Sequence, residues 1–234
     1  MAEDNRASSR WHFLQVLVTP AKVFPALVEA PAFVKPALAV SGANLFLGAV
    51  LVPRVQAFTV WALKHGPVTL PPEQMEQALA VAPKAAAVGS VAVAVLAPWF
   101  LWLVIAGVLK LYAMLSAREA PFGPLFAVAV YGYLPVFLGG LITTGLLLGV
   151  PVENFERVSL SLAAFMPYQK SFLYFFLTKC SPFTWWSLFL WGSGGAAGRK
   201  TRPAGVTAYL FGLWLVEALV SAAVAGRKAP AGLG

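Results

Sequence analysis

Apolar residues run through this chain in long stretches, cut by short charged clusters. The longest stretch without Asp, Glu, Lys or Arg is Ala120 to Val152, 33 residues, and Ala85 to Leu109 adds 25. A helix of about 20 apolar residues covers the hydrocarbon core of a bilayer. A soluble domain of this length could not hide several such stretches. The pattern predicts an all-α integral membrane protein built as a five-span transmembrane helix bundle. The spans fall at about residues 36–54, 85–109, 125–150, 183–198 and 203–226. Lys35 and Arg54 bracket the first, which is just long enough to cross, and Arg54 is expected to snorkel to the far interface. Val55 to Leu63 can continue that helix. Pro98 and Pro135 are helix-kink positions in the second and third spans, because proline removes a backbone hydrogen bond. Neighbouring helices can satisfy the freed carbonyl.

The segments between the spans are also patterned. Residues 1–18 form a polar-to-apolar lead-in, and residues 227–234 a short tail. Thr19 is a helix N-cap residue and Pro20 suits a first helical position. Residues 19–35 then read as an interfacial amphipathic helix, with Phe24, Leu27 and Val28 on one face. Pro71, Pro72, Glu73 and Glu76 predict the acidic first turn of a short surface helix in the loop Lys64 to Lys84. The loop Pro151 to Pro182 combines apolar stretches, Leu160 to Met166 and Phe172 to Leu177, with Glu153, Glu156, Arg157, Lys170 and Lys179. Those charges forbid a simple span. Interfacial helices or a re-entrant excursion satisfy both features.

Composition narrows the function classes. Charged residues are only 11% of the chain, and the net charge is +8. No basic stripe with interleaved aromatics is present, so the charge points to a bilayer with anionic headgroups and not to nucleic acid. Cys180 is the single cysteine and His12 and His65 the only histidines. An internal disulfide is therefore impossible, and no metal site or other cofactor is expected. Neither histidine lies in a span, and there is no HExxH spacing or phosphate-binding glycine loop, so no catalytic residues are assigned. The N-terminal 35 residues have no long apolar core of a cleavable signal peptide.

The candidate sites are intramembrane polar groups. Glu217 interrupts the last span, where a carboxylate costs roughly 2.5–3.5 kcal/mol to insert. It should face protein, either protonated or paired, and it shares a helical face with Leu210, Leu213, Trp214 and Ser221. It is either an interhelical polar lock or a proton-relay or ion-coupling site. A relay needs a second titratable group at similar depth, and none is evident. Asn44, Tyr131, Tyr133, Thr143 and Thr144 are the other in-span polar residues. Small residues recur at four-residue spacing at Gly145 and Gly149, Gly194 and Gly198, and Ala208 and Gly212, where helices can approach closely. Trp185, Trp186 and Trp191 read as interface anchors, and Trp99 and Trp102 as anchors or core.

Several landmarks occur in a telling order. Pro20 and Phe24 precede the first span, which opens with Pro36 and Leu38. Tyr131, Leu134 and Pro135 follow in the third. Phe183, Trp186, Leu188 and Leu190 run into Gly192 and Gly195. A basic turn of Arg199, Lys200 and Arg202 then leads to Trp214. From Val16 to Ala225 the chain resembles the Yip family (Ypt-interacting-protein domain), in particular its small prokaryotic members. An acidic residue often precedes the fourth span in that family, and here Cys180 and Ser181 stand in its place.

The resemblance implies five spans and a cytoplasmic N-terminus, in a bacterial cytoplasmic (inner) membrane. Eukaryotic relatives sit in Golgi and ER membranes, bind Rab GTPases through cytosolic N-terminal regions and assist vesicle traffic. This chain has only a short region of that kind, so a Rab role transfers poorly, and the prokaryotic members have no agreed activity. The expected function is a non-enzymatic membrane-organising or partner-binding scaffold, its partner a membrane protein or another copy of the chain. The alternative is a small transporter or lipid-handling protein that uses Glu217.

Overall fold

The computed structural model describes residues 13–66, 70–169, 171–197 and 201–228. The expected start of the polar lead-in, Met1 to Ser9, together with His12, Lys170, Gly198, Arg199, Lys200 and the tail after Lys228, lies outside the described residues. All regular structure among the described residues is helical. The helices are α1 Pro20–Glu29, α2 Val34–His65, α3 Pro72–Leu115, α4 Phe122–Gly132, α5 Leu134–Gly149, α6 Phe172–Lys179, α7 Pro182–Ala197 and α8 Pro203–Lys228. Two 3-10 turns, Val152–Arg157 and Leu162–Phe165, lie between α5 and α6.

Among the described residues four stretches are long and apolar enough to cross a membrane: Val34–His65, Pro72–Leu115, Phe122–Gly149 and Pro203–Arg227. The chain is thus an integral membrane protein. The expected fourth span is α7, which at 16 residues is shorter than the roughly 20 needed to reach across hydrocarbon.

The helix-start signals act where expected, with different extents. Thr19 is the N-cap of α1 and Pro20 its first residue. The Thr19 hydroxyl donates back to Gln15 O (3.2 Å) and makes no cap bond. Pro71 and Pro72 open α3 with Glu73 in its first turn. That turn does not belong to a separate surface helix, because α3 continues unbroken to Leu115 through Pro83 and Pro98. Apolar, alanine-rich sequence on both sides of Lys84 offers no stop signal. The third stretch breaks between α4 and α5 at Tyr133, and Pro135 lies in the first turn of α5. There its missing N–H costs nothing.

α2 and α3 are antiparallel neighbours. The Trp99 indole on α3 donates to the Ser41 hydroxyl on α2 (2.8 Å), and Gly48 faces Val91 and Ala94. Their outer faces show Phe46, Val88, Val93 and Phe100, the apolar surface that lipid requires. Arg54 stands at the end of the third span. Its guanidinium donates to Leu147 O (3.3 Å) and Val150 O at the C-terminus of α5 and stands 5.3 Å over the Phe155 ring. A cation there satisfies carbonyls that the helix end leaves open.

α7 is the central helix. Ser187, Leu188, Leu190, Trp191, Gly192, Gly194, Gly195 and Ala196 are all buried, and a helix buried on most sides is the signature of a core position. Trp191 is therefore not an interface anchor. It is 3% exposed, and its indole donates to Ala129 O on α4 (3.0 Å). Trp102 is core as well, with no exposed surface. α1 packs on this helix and on α4. Phe24 is 1% exposed, and a Cβ on Gly194 would stand 2.8 Å from its ring and 2.6 Å from Val128. The apolar face of α1 thus lies against the bundle.

α8 runs antiparallel to α6 and α7 taken in series. Thr207 faces Gly192, the Phe211 ring meets Phe189 (5.2 Å), Trp214 meets Trp185 (6.1 Å), and Gly226 lies beside Phe172. A Cβ on Gly192 would collide with both the side chain and the backbone of Thr207, whereas one on Gly212 meets open space. Gly192→Val is expected to push α7 off α8 and cost about 1–3 kcal/mol. Gly212→Ala should stay within about 0.5 kcal/mol of the parent. Thermal unfolding of the purified protein in detergent reads both.

Candidate functional site

α6 ends at Lys179 because Cys180 and Ser181 leave the helical path before α7 begins. At that break the Lys179 ammonium donates to Glu217 Oε1 on α8 at 2.8 Å. Ser221, one turn further along α8, donates its hydroxyl to the same oxygen at 2.6 Å. The Lys179 and Glu217 side chains are 38% and 53% exposed. Among the described residues no element closes over them.

The depth of this group follows from α8. Glu217 lies about 21 Å along the helix axis from Pro203 and about 15 Å from Arg227, at 1.5 Å per residue. Arg202 and Arg227 flank the apolar stretch, so the ion pair sits near its middle. A charge at that depth is costly, and two opposite charges in contact are much less so. Glu217 is paired with protein, as its span position requires, although its side chain stands on an open face.

The partner was not recognised from sequence, because Lys179 reads as one of the charges that exclude residues 151–182 from the membrane. The available signal was a lone cation ending the apolar stretch Phe172 to Leu177, in a chain with one lone carboxylate in a span.

The other candidate residues do not gather around Glu217. Asn44 on α2 lies near Tyr133, the residue at the break between α4 and α5. Tyr133 also meets Trp102 edge-on (5.7 Å). The Tyr131 hydroxyl donates to Ala32 O before α2 (3.2 Å), and its ring packs edge-on against Phe13 (5.2 Å). Thr143 donates to Gly139 O within α5 (2.9 Å), and Thr144 is buried. Pro98 is buried inside α3, and Pro135 starts α5. These contacts tie helices and helix breaks together. Among the described residues no three His, Cys, Asp or Glu side chains cluster as a metal ion would need.

Outside the spans, Tyr168 donates its hydroxyl to Glu156 (2.6 Å) in the segment between α5 and α6. Partial burial, then this bond and the carboxylate charge, push its pKa up to about 12. Cys180 is 4% exposed, with its thiol 3.6 Å from Phe176 O.

The sequence model of the Yip1 domain matches residues 14–225. The chain belongs to the Yip1 domain family. The match takes in α1 to α8 almost to the end of α8, so the break at Cys180 and Ser181 and the Lys179–Glu217 pair lie within the Yip1 domain. No curated protein and no solved structure matches the chain.

Removing one member of the pair strands the other charge. Glu217→Leu is expected to cost about 1–2 kcal/mol. Glu217→Gln keeps an acceptor for Lys179 and Ser221 and should cost less. The double variant Lys179→Met, Glu217→Leu should recover most of the loss, because a matched apolar pair restores a compatible surface. Denaturant titration in mixed micelles measures the cycle. A double variant no more stable than Glu217→Leu would show that the two charges do not act as a unit.

Proposed function

We propose that this Yip1-domain protein is a non-enzymatic scaffold that organises the membrane or docks a partner within it. The observation that carries the reading is the open Lys179–Glu217 pair at mid-depth. A charged face against lipid tails is unfavourable, and a partner helix with hydrogen-bonding groups would cover it. Val216 and Val220 beside it are exposed and give that partner apolar contact. The partner is a membrane protein or a second copy of the chain, and the bilayer's anionic headgroups are matched by the net charge of +8. Nucleic acid has no place in this reading.

In the same proposal the chain crosses a bacterial cytoplasmic membrane five times, with its N-terminus inside and α1 at the inner interface. α6 and α7 in series make the fourth crossing. Two features support this. Together α6 and α7 cover α8 from Phe172 beside Gly226 to Gly192 beside Thr207. Arg199, Lys200 and Arg202 fall within four residues of sequence without an acid, the situation in which positive charge most strongly favours the inner side.

A second reading, a small transporter or lipid-handling protein using Glu217, is favoured by one observation. Lys179 supplies a charged neighbour to the carboxylate at the break of a discontinuous helix, the setting in which transporters place ion and substrate groups.

A photo-crosslinking residue at Val220 should form a discrete adduct in living cells. The adduct should be absent from the Lys179→Met, Glu217→Leu variant and from a control at exposed Val93 on α3. Crosslinking at Val220 no different from that at Val93 would remove the scaffold reading. Proton flux through the protein in liposomes, abolished by Glu217→Gln, would favour the transporter.

Five crossings put the termini on opposite sides. A tag before Met1 should be cytoplasmic, and a reporter after Gly234 should be active only outside. A reporter active in the cytoplasm at both ends contradicts the count.

A further inference from the structure

The chain between α5 and α6 leaves the end of α5, turns inward and comes back. Gly139 lies about 15 Å along α5 from its last residue, Gly149, at 1.5 Å per residue. Phe183 on α7 is seated on Gly139, where a Cβ would stand 3.0 Å from its ring. Ser159 to Ser161 reach this same level. They share a cleft with Gly139 and Thr143 of α5 and with Phe183 and Thr184 of α7, and the next residue, Leu162, donates its N–H to Cys180 O (3.0 Å). By Phe172 the chain is back beside Gly226 near the end of α8. The excursion is re-entrant, and its tip lies well inside the apolar length of α5.

The cleft has a volume of about 250 Å³. Its lining carries the hydroxyls of Thr143, Ser159, Ser161, Thr178, Ser181 and Thr184, and no charged side chain. Thr143 and Thr178 donate to carbonyls of their own helices (2.9 and 2.6 Å), and Ser159 and Ser161 bond each other (2.7 Å). Ser159 and Ser161 also accept from Ser161 N and Ala163 N (3.3 Å each), so one oxygen of that pair is filled, but the donating Thr143 and Thr178 oxygens keep free lone pairs and the surface remains able to accept hydrogen bonds. Lipid tails cannot meet that demand. A polar cavity this large holds water, at about 30 Å³ per molecule, and irregular backbone at membrane depth is tolerated where it lines such a cavity.

We infer that the cleft between α5, the re-entrant segment and the start of α7 is a water-filled vestibule in the hydrophobic layer that binds small, uncharged, hydroxyl-bearing solutes. Hydroxyls both donate and accept, which suits a neutral polyol. With no charged side chain on the wall, the cleft offers an ion no counter-charge. Lys179 is committed to Glu217 on α8, away from the lining. The inference does not depend on the partner reading, because a failed crosslink at Val220 would leave the hydration of this cleft unaffected.

The test places thiols on the wall. Ser181→Cys and Thr184→Cys are each made in a Cys180→Ser chain, in membrane vesicles, with exposed Val93→Cys and Phe189→Cys as lipid-facing controls. Thiolates react and thiols in hydrocarbon do not. Both wall positions should react with a small neutral methanethiosulfonate at least tenfold faster than either control. Millimolar to molar glycerol should slow that reaction, and sodium sulfate at equal osmolarity should not. Introducing Ser161→Leu should fill the cleft and slow both. If one wall variant fails to fold, the other carries the test. Wall thiols no faster than the controls in folded protein would overturn the vestibule. Protection by sulfate equal to that by glycerol would overturn the neutral-solute assignment.

Discussion

The close approach of α7 to its neighbours is the interaction on which the rest of the structure depends. Glycines at 192, 194 and 195 leave no room for a Cβ against Thr207, Phe24 and Leu109. With no hydrophobic drive to gather helices that already sit in lipid, such backbone-level contact is what holds membrane helices together. Through it α1 is drawn onto the bundle, α4 is tied to α7 by the Trp191 indole, and α8 is set in antiparallel register. That register carries Lys179 to Glu217.

Charged groups in the apolar layer and at its edge obey one rule. A charge that cannot reach water must be answered by protein. Arg54 meets the open carbonyls at the end of α5. Lys179 and Ser221 meet the Glu217 carboxylate. Arg54 is partly buried and links α2 to the end of α5 beside Phe155, so its bonds fasten the fold. The Lys179–Glu217 pair is satisfied electrostatically but open to its surroundings, and the proposed function rests on this combination.

Membership in the Yip1 domain family places the chain among membrane proteins, and the partner-binding role we propose within that frame rests on the open pair. The same helix break serves two surfaces. On one side Lys179 turns to α8. On the other, Thr178 and Ser181 line the hydroxyl-rich cleft. A break between α6 and α7 is what lets adjacent residues face opposite sides at one depth.

Local features of the chain determined the membrane class, the helical elements and many of their ends. Ala85 to Leu109 and Ala120 to Val152 are apolar over the length that a bilayer demands. Thr19 with Pro20, and Pro71 with Pro72, mark helix starts through steric effects within a few residues, whereas Pro135, which reads as a kink within a span, begins a new helix. The carboxylate in a span was legible as a group needing a partner, because the cost of an unpaired charge depends only on its surroundings being apolar. What answered it was not legible. Lys179 stands 38 residues from Glu217, and the two meet only because α7 and α8 pack in one register. The burial of Trp191 and the uninterrupted length of α3 were likewise settled by neighbours. A tryptophan suits interface and core equally, and a helix continues wherever its packing continues. Tertiary structure alone decided these, since close packing is a property of pairs of helices that no single stretch contains.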